Sequence, residues 1–487
     1  MADTIALMRE RVLDMAIRGE LVEQRLEEGT SESLVVPFNE KTRESRVTMT
    51  NNPVLPNSWE WTMLSDIADI IMGQSPPGSS VSIENEGIEF HQGKIYFGEV
   101  YLKESDQKTY DPKKIVDKDT LLLSVRAPVG NLNITQRRIS IGRGLCGIKG
   151  KNGIETKFLY YFLTTAKEAM ENKATGTTFK AISGSVIRDL SIPLPPLSEQ
   201  KRIVAKIEEI FAVIDQIGTK KEEALSIIRS MRQTALQDAI MGVLVEQDET
   251  DESANEILKK IEKEKEHLKK EKKVKIEQPL PPVNVHNFDY DIPAGWELTH
   301  LNEIAFVTKL AGFEYTSDIK PNLAESGIPL FKGKNVRNGR LVYEFESFIP
   351  ESVSEKLTRS QLNRKCLLTP YVGTIGNIAI FEGDIQAHLG SNVGKIELYN
   401  YNDTYILEEY LLYFLRSKTG IKQLRKQIKS TAQESISIKA IRECLIPLPP
   451  LAEQERIVAK LDEIMAICDQ MEAIFDGSAD MVAERIC

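Results

Sequence analysis

The side chains of this chain that could do chemistry are mostly hydrogen-bond donors beside glycine-rich turns. They fall into two regions of the sequence: Lys94, Arg126, Asn131, Arg143 and Lys180 in the first, and Lys334, Arg337, Tyr371, Asn377 and Lys429 in the second. In the major groove of DNA, arginine and lysine form paired hydrogen bonds with guanine, and asparagine forms them with adenine. Taken singly, each residue is more typical of a phosphate contact or a surface position than of a base contact.

Several classes of function have no support in the sequence. It contains no Asn/Asp-Pro-Pro-Tyr/Phe motif of the methylase kind and no Gly-x-x-x-x-Gly-Lys-Ser/Thr loop for ATP. Cysteines and histidines are scattered, so we expect reduced cysteines and no metal site. They are Cys146, Cys366, Cys444, Cys468 and Cys487, with His91, His267, His286, His300 and His388. No apolar run has the length of a membrane span or the form of a signal peptide, so we expect a cytoplasmic chain.

A long repeat organises the elements that must position the donors. The segment IPLPPLSEQKRIVAKIEEI at residues 192–210 returns 254 residues later, at 446–464, as IPLPPLAEQERIVAKLDEI. Other matches occur in the same order at offsets that rise through 237, 240, 246 and 252 residues. Collinear matches of this kind indicate a gene-scale duplication rather than the short-period repetition of a solenoid.

One further match has a different offset. LDMAIRGELVEQ at residues 13–24 resembles LQDAIMGVLVEQ at residues 236–247, only 223 residues away. The first copy of the repeat therefore continues through about Gln247. The second copy lacks the corresponding piece, and the segment that resembles it lies at the N-terminus. This order predicts a circularly permuted repeat, with the two ends of the chain close together in the fold.

The repeated segments have the periodicity of long helices. Apolar residues recur at spacings of three and four, as in the seam of a coiled coil. The seam residues are Ile5, Met8, Val12 and Met15; Ile203, Ile207, Ile210, Ile214, Ile217, Ala224, Ile228, Met231 and Ala235; and Ile457, Leu461, Ile464, Cys468, Met471 and Phe475. We expect the seams of the two long helices to pair antiparallel over roughly 60 Å. Amphipathic helices packed on their own domains would show the same periodicity.

The stretches between the helices have the pattern of globular domains. Short β-rich runs such as TLLLSV and GNIAIF, separated by glycine, asparagine and proline, predict α+β domains. The expected order is an N-terminal helical segment (1–50), a first domain (51–190), a central helical spacer (191–280), a second domain (281–445) and a C-terminal helix (446–487). The predicted fold class is α+β, with two α/β domains separated by long antiparallel coiled-coil helices and related by a pseudo-twofold axis.

Charge is distributed unevenly along the 487 residues, whose net charge is −10. Residues 88–190 hold 17 Lys and Arg against 11 Asp and Glu, and residues 325–445 hold 17 against 13. A local positive excess suits contact with phosphates, although the solvated face of a globular domain would also explain it. The run at 256–275 alternates in charge and predicts a solvated helix before a proline-rich linker.

These features together resemble a known family. The paired IPLPPLSEQKRIVAKI and IPLPPLAEQERIVAKL segments, the Pro-x-x-Trp starts of both domains and the AIxGxLVEQ helices are similar to those of the DNA-specificity subunit of type I restriction-modification systems. The resemblance covers essentially the whole chain.

The resemblance implies a non-catalytic subunit whose two target-recognition domains each read half of a bipartite, asymmetric site in double-stranded DNA, with the helices fixing the gap. It also implies two modification subunits, which use S-adenosylmethionine, and two motor-nuclease restriction subunits, which use ATP and Mg. The chain itself is expected to hold no cofactor. The docking surface for the modification subunits would include Glu199, Gln200, Arg202, Lys206, Glu453, Gln454, Arg456 and Lys460.

Two alternatives stay open on the sequence alone. A coiled-coil scaffold whose domains bind proteins or glycans would explain the duplication and the helices, but not the positive excess in both domains. Steep loss of binding with added salt would favour DNA, because neutralised phosphates release counterions. The specificity subunit of a modification-only system would have the same features, and only its neighbouring genes would distinguish it.

Overall fold

The chain forms two compact units. Unit 1 comprises Met1–Glu222 and Phe475–Cys487, and unit 2 comprises Glu223–Ile474. The computed structural model describes residues 2–34, 54–84, 86–175, 180–271, 280, 282–283, 288, 290–337, 339–373, 375–426, 428 and 434–485. Unit 1 is therefore assembled from both ends of the sequence, and unit 2 from one continuous stretch.

Within its described residues, unit 1 contains five complete α-helices, the start of a sixth, and the end of a long helix that begins in unit 2. The helices are α1 (Ala2–Arg18), α2 (Leu64–Ile67), α3 (Thr156–Thr165), α4 (Lys167–Asn172), α5 (Gly184–Arg188) and α6 (Leu197–Ile240), which continues into unit 2. The strands are β1 (Glu60–Met63), β2 (Ala68–Met72), β3 (Val81–Ser82), β4 (Ile88–His91), β5 (Lys108–Thr109), β6 (Ile115–Val116), β7 (Thr120–Ser124), β8 (Leu132–Thr135), β9 (Ile139–Ile141), β10 (Leu145–Gly150) and β11 (Ser191–Leu194).

Three sheets build the domain of unit 1. An antiparallel sheet has the strand order β2-β10-β7-β8, a second sheet has the order β3-β5-β4-β9-β6, and β1 pairs with β11. All five residues of strand β7 are buried, so both of its faces are covered. Successive side chains of a strand point to opposite sides of the sheet. Leu121 and Leu123 accordingly join the core that includes Phe158 and Phe162 of α3, whereas Leu122 joins the core with Ile139 of β9.

Unit 2 repeats this plan with different lengths. Its helices are α7 (Ala254–Lys270), α8 (Leu301–Ile304), α9 (Gly312–Glu314), α10 (Glu351–Lys356), α11 (Glu408–Arg416), α12 (Lys418–Arg425), α13 (Ile438–Arg442) and α14 (Leu451–Arg485), which continues into unit 1. Its strands are β12 (Glu297–His300), β13 (Ala305–Lys309), β14 (Ile328–Phe331), β15 (Val336–Arg337), β16 (Arg340–Leu341), β17 (Phe348–Ile349), β18 (Gln361–Leu362), β19 (Cys366–Pro370), β20 (Ala379–Phe381), β21 (Ala387–Leu389), β22 (Val393–Leu398) and β23 (Leu445–Leu448).

The sheet topology of unit 2 matches that of unit 1. The order β13-β22-β19-β20 corresponds to β2-β10-β7-β8, and the pair β12-β23 corresponds to β1-β11. Each unit also has one parallel strand pair, β4 with β9 and β14 with β21. Leu367 and Leu368 of β19 divide between two cores, as the leucines of β7 do. The duplication inferred from the sequence is therefore a duplication of fold.

The long helix α6, of 44 residues, has a different antiparallel partner in each unit. In unit 1 its first part shares a core with α1, which contributes Met8 and Val12 next to Ile203 and Ile207. Arg9 of α1 pairs with Asp215 farther along α6, whereas residues after α1 reach the start of α6, so the two helices run in opposite directions.

In unit 2 the later part of α6 runs antiparallel to α14. Ala235 and Ala239 share a core with Ile457 and Leu461, and Arg232 lies 2.6 Å from Asp469. The antiparallel prediction is thus confirmed where α6 meets α14. Direct pairing of the two seams was wrong for Ile203, Ile207 and Ile214, which pack with α1, and the predicted seam residue Met231 is exposed.

Two simpler observations complete the fold. No helix in the described ranges is long and apolar enough to cross a membrane. Cys146, Cys366, Cys444 and Cys468 are free and buried, and burial raises the pKa of the Cys146 and Cys444 thiols to about 12. Thiols with such pKa values are poor nucleophiles, so the side chains of Cys146 and Cys444 act as packing residues.

Candidate nucleic-acid interface

A hydrogen-bonded cluster holds the end of α1 against the start of α6. Gly19 follows α1 with a φ of +74°, a backbone conformation that glycine adopts without strain. Gln24 then donates from Nε2 to the Gly19 carbonyl at 3.2 Å and to Glu199 Oε1 at 2.6 Å. Arg202 closes the contact with hydrogen bonds of 2.7 and 2.9 Å to Glu28. These five residues are called clasp 1.

The same cluster recurs in unit 2 as clasp 2, with Gly242, Gln247, Glu453, Arg456 and Asp251 in the equivalent places. Gln247 Nε2 donates to the Gly242 carbonyl at 3.1 Å and to Glu453 at 2.5 Å. Arg456 Nη2 lies 2.8 Å from Asp251 Oδ2. The two LVEQ segments therefore make the same contact, each with the IPLPPL-initiated helix of its own unit. This repetition is the structural counterpart of the permuted order in the sequence.

Four of the predicted docking residues are buried. Glu199 and Glu453 are each 1% exposed, and Gln200 and Gln454 are fully buried. Burial raises the pKa of both glutamate carboxyls, although hydrogen bonds from glutamine and tryptophan oppose the rise. Gln200 accepts from the Glu155 amide at 3.0 Å, and Gln454 accepts from the Leu407 amide at 3.0 Å. These four side chains join the helix to its own domain.

The other four predicted docking residues lie nearer to solvent. Arg202 and Arg456 are half-buried and bonded within the clasps. Lys206 pairs with Glu209 at 3.0 Å, and Lys460 pairs with Glu463 at 2.7 Å. Of the eight, the two lysines are the ones whose charged ends a partner could reach without opening a clasp. Docking at these residues stays a prediction.

Three loops meet at one end of the main sheet of unit 1, and we call them cluster 1 (residues 125–127, 142–144 and 180–182). The Val125 amide donates to the Gly144 carbonyl at 3.0 Å, and the Ile182 amide donates to the Val125 carbonyl at 3.0 Å. The Ala127 amide donates to the Lys180 carbonyl at 3.0 Å. Backbone hydrogen bonds thus bring together three of the predicted donors, which the sequence separates widely.

The three cationic side chains of cluster 1 point to solvent. Arg126, Arg143 and Lys180 are all exposed. Lys94, in the turn Lys94–Tyr96, is half-buried and lies two residues beyond Gln92, whose carbonyl accepts from the Gly144 amide. Asn131 is half-buried, and its Oδ1 is buried without a hydrogen-bond partner among the described residues.

The equivalent loops of unit 2 form cluster 2 (residues 371–373, 390–392 and 434–436). The Tyr371 amide donates to the Asn392 carbonyl at 3.2 Å, and the Ile436 amide donates to the Tyr371 carbonyl at 2.9 Å. Tyr371 is half-buried, with Lys309 Nζ 4.4 Å from its ring centroid, and burial raises the pKa of its hydroxyl. The two clusters have the same backbone arrangement.

Other predicted donors of unit 2 are already engaged. Asn377 accepts from the Gly339 amide at 2.9 Å and donates to the Val336 carbonyl at 2.6 Å. Lys334 pairs with Glu346, and the exposed Arg337 donates to the Lys334 carbonyl at 2.9 Å. Lys429 lies outside the described residues. These contacts leave Arg337, with an exposed guanidinium, as the strongest of the second set for contact with a ligand.

The sequence reasoning missed the roles of Gln24 and Gln247. The signal was present, because LVEQ recurs at an offset of 223 and PPLxEQ at an offset of 254. Two glutamines that repeat together with two glutamates suggest a repeated contact between them. Lys309 was also missed, since nothing local in the sequence links it to Tyr371.

Comparison with known proteins identifies both repeats. The family model for the type I restriction modification DNA specificity domain matches residues 56–226 and again residues 293–474. The specificity subunit of the type I restriction enzyme MjaX, from Methanocaldococcus jannaschii, is 42% identical over 172 residues, which are 35% of this chain and 40% of that subunit. The EcoAI specificity subunit from Escherichia coli is 25% identical over 550 aligned positions, covering 96% of this chain and 90% of that subunit.

A solved structure shares the fold. The crystal structure of the HsdS subunit from Thermoanaerobacter tengcongensis aligns over 90% of this chain and 99% of its own, with a TM-score of 0.52 and 19% sequence identity. The likeness at this identity concerns the fold. It agrees with the two α/β domains and long helix described above, so the predicted fold class is confirmed.

Proposed function

This chain belongs to the type I restriction modification DNA specificity family and is a non-catalytic specificity subunit, and we propose that each of its two domains reads one half of a split DNA sequence. The observation that carries this proposal is the pair of loop clusters. Clusters 1 and 2 share their backbone hydrogen bonds but differ in their side chains. One scaffold with two different surfaces suits an asymmetric site with two unlike halves.

The long helices are proposed to set the gap between the two half-sites. Helix α6 has 44 residues, which corresponds to roughly 66 Å. This length is comparable to about two turns of DNA. Because each domain is joined to its helix by a hydrogen-bonded clasp, the helices can act as rigid spacers rather than as flexible linkers.

The same helices are proposed to receive two modification subunits through their solvent-facing sides. In the part of α14 within unit 2, Ile467 is 46% and Ile474 is 65% exposed. On α6, Val213 is 50% and Ile227 is 61% exposed. Large apolar side chains exposed in series along a helix favour a partner protein. We propose that these residues, with Lys206 and Lys460, form the accessible part of the docking surface.

The remaining components of the complex are proposed from the resemblance to the family. The modification subunits would supply S-adenosylmethionine chemistry at adenine, and two restriction subunits would supply ATP- and Mg-dependent translocation and cleavage. Double-stranded DNA is the proposed ligand, and the cytoplasm is the proposed location.

Mapping of methylated adenines in the genome of the source cell tests this function. We expect one split motif with two unlike halves and a fixed gap, which disappears when the gene for this chain is deleted. A continuous motif, or methylation that is unchanged by the deletion, would contradict reading by two domains. Restoring the gene is the control, because it should return the same motif.

A further inference from the structure

Clusters 1 and 2 can be aligned residue by residue through their backbone contacts. Arg126 forms an isolated bridge with Ala181, and Val372 forms the same bridge with Ser435. Lys180 therefore corresponds to Glu434, which directly precedes Ser435. The segments IGRGL at 141–145 and LGSNV at 389–393 likewise place Ser391 where unit 1 has Arg143.

Charge is lost at two of these equivalent positions and reversed at the third. Cluster 1 has three cations, Arg126, Arg143 and Lys180, where cluster 2 has Val372, Ser391 and Glu434. Within the described ranges, the three cations of cluster 1 make no ion pair with a carboxylate. The same backbone thus presents three unneutralised positive charges in unit 1 and a single carboxylate in unit 2.

Three cations lie beside cluster 2, but none of them occupies a position equivalent to a cation of cluster 1. Arg425 donates to Glu434 at 2.6 Å, which neutralises the carboxylate. Lys309 lies over the Tyr371 ring, and Lys332, at the position of Gln92, donates to Ser347 at 2.7 Å. Lys309 and Lys332 keep their positive charges, because an aromatic ring and a hydroxyl do not neutralise a cation, but neither residue belongs to cluster 2.

Cluster 1 is also held rigidly, so its charges are presented in a fixed arrangement. Gly73 donates to the Leu145 carbonyl at 2.9 Å, and a Cβ atom at Gly73 would lie 2.2 Å from the Gly142 carbonyl oxygen. A Cβ atom at Gly144 would lie 2.5 Å from the Gln92 carbonyl oxygen. The strands and loops approach closely only because these residues are glycine.

We propose that cluster 1 is an ionic contact to the phosphate backbone of DNA and that cluster 2 is a non-ionic contact, so the two halves of the site are held by different forces. This proposal rests on the proposed function and specifies how each domain carries it out. Phosphate contacts by lysine and arginine make binding dependent on salt, whereas neutral contacts do not. Most of the salt dependence that arises from these clusters should therefore come from unit 1.

The test measures the affinity of the full chain for a mixed-sequence pool of DNA duplexes as a function of salt concentration. Each phosphate contact contributes about 0.9 to the slope of log K against log salt. The variant with Arg126→Ala, Arg143→Ala and Lys180→Ala should lose about 2 to 3 from that slope and bind roughly tenfold more weakly at low salt. Circular dichroism verifies that it is folded.

Two matched variants separate a local contact from general charge. Lys118→Ala removes an exposed cation just before β7, at the end of the strand opposite cluster 1, and should leave the slope unchanged. The variant with Val372→Arg, Ser391→Arg and Glu434→Lys gives cluster 2 the charges of cluster 1 and should increase the slope. This second variant keeps the proposal testable even if the alanine variant does not fold.

The outcomes are distinguishable. If the alanine variant is folded and its slope equals that of the wild type, or if Lys118→Ala lowers the slope by as much per charge removed, the ionic role of cluster 1 is refuted. The same conclusion follows if the charges added to cluster 2 leave the slope unchanged. If the wild-type chain does not bind duplex DNA at any salt concentration, the proposed function itself fails.

Discussion

At the scale of single residues, Glu89 on β4 is an ionised carboxylate held by several hydrogen bonds. Its carboxylate accepts from Arg137 Nη2 at 2.6 Å, from the Ser105 amide at 2.7 Å and lies 2.8 Å from His91 Nε2. Burial opposes ionisation, but the hydrogen bonds from Arg137, Ser105 and His91 outweigh it and lower the pKa of Glu89 to about 2. The ionised carboxylate therefore ties β4 to two neighbouring loops.

The Glu89 pKa predicts how the stability of unit 1 depends on pH. Because the folded pKa of about 2 lies below the ordinary value of 4.5, this group stabilises the fold above pH 4.5, and the contribution is lost as pH falls toward 2. We expect Glu89→Gln to lower the free energy of unfolding by about 2 kcal/mol at pH 7. Urea denaturation should show that the difference from wild type shrinks below pH 4.5.

A control for this change is available in the same region. Glu86 is exposed, so Glu86→Gln should leave the urea midpoint unchanged at either pH. Equal destabilisation by Glu89→Gln at pH 7 and at pH 3 would show that the ionised form of Glu89 is not what stabilises the contact.

At the residue scale, the sequence located polar side chains but did not show which of them have tertiary partners. The sequence indicated the cations of cluster 1, which the structure places together in exposed positions. It could not show that the amide of Asn377 is fully engaged, because its partners Val336 and Gly339 lie 41 and 38 residues away. Whether a polar side chain is free is decided by tertiary contacts, which local patterns do not contain.

At the scale of secondary-structure elements, the two clasps determine how helix and domain are joined. The glycine that follows each helix is packed tightly: a Cβ atom would lie 2.5 Å from Pro56 Cγ at Gly19 and 2.2 Å from Pro293 Cγ at Gly242. The tryptophans of the Pro-x-x-Trp segments stand beside both positions, with Trp59 and Trp296 Cζ2 each 3.3 Å from the added atom. The repeated Gly, Pro and Trp residues are therefore parts of one joint.

This packing predicts a large effect of a single methyl group. Gly19→Ala and Gly242→Ala should each lower the free energy of unfolding by about 3 kcal/mol, because a positive φ and overpacking both cost energy. Gly153→Ala is the matched control, since its φ is +84° but the new Cβ would meet Leu197 at an ordinary 3.5 Å. Gly153→Ala should lower the free energy of unfolding by only about 1 kcal/mol. Thermal or urea unfolding of the three variants decides this, and equal effects would refute the role of packing.

Element-scale reasoning from the sequence predicted the helices but not all of their partners. A period of three and four residues defines the apolar face of a helix and leaves open what covers it. Ile203 and Ile207 are covered by α1, and Ile457 and Leu461 by the later part of α6. Residues 13–24 and 236–247 resemble each other because both cover the start of a PPLxEQ helix.

At the scale of the whole molecule, the proposed spacer role of the helices is open to direct test. Seven residues inserted in register after Glu222 and seven after Ile474 would lengthen both helices by roughly 10 Å, or about three base pairs. We expect the methylation motif to keep both half-sequences and to gain about three base pairs in its gap. Adenine mapping by sequencing measures this.

An insertion after Glu222 alone serves as the comparison for the paired insertion. It disturbs the pairing of α6 with its neighbours without extending them together, so it should weaken methylation rather than give a longer gap. An unchanged gap in the paired variant would refute the spacer role while leaving two-domain recognition intact.

The permuted order was the part of the architecture most accessible from the sequence. Offsets of 223 and 254 residues are properties of chain order, and a difference between them needs no knowledge of contacts. The diverged loops gave no such information, because the counterparts of Arg126 and Lys180 are Val372 and Glu434. Their equivalence became visible only through shared backbone hydrogen bonds.

The order of the two domains along the chain also sets the order in which they can fold during translation. All the described strands of unit 1 precede residue 222, so its domain can fold while the rest of the protein is still being made. The later part of α6 has no such early partner, because Ala235 and Ala239 are covered by Ile457 and Leu461 of α14. A ribosome that stalls before α14 would thus release a chain with one finished domain and an uncovered apolar helix, a substrate for chaperones and proteases.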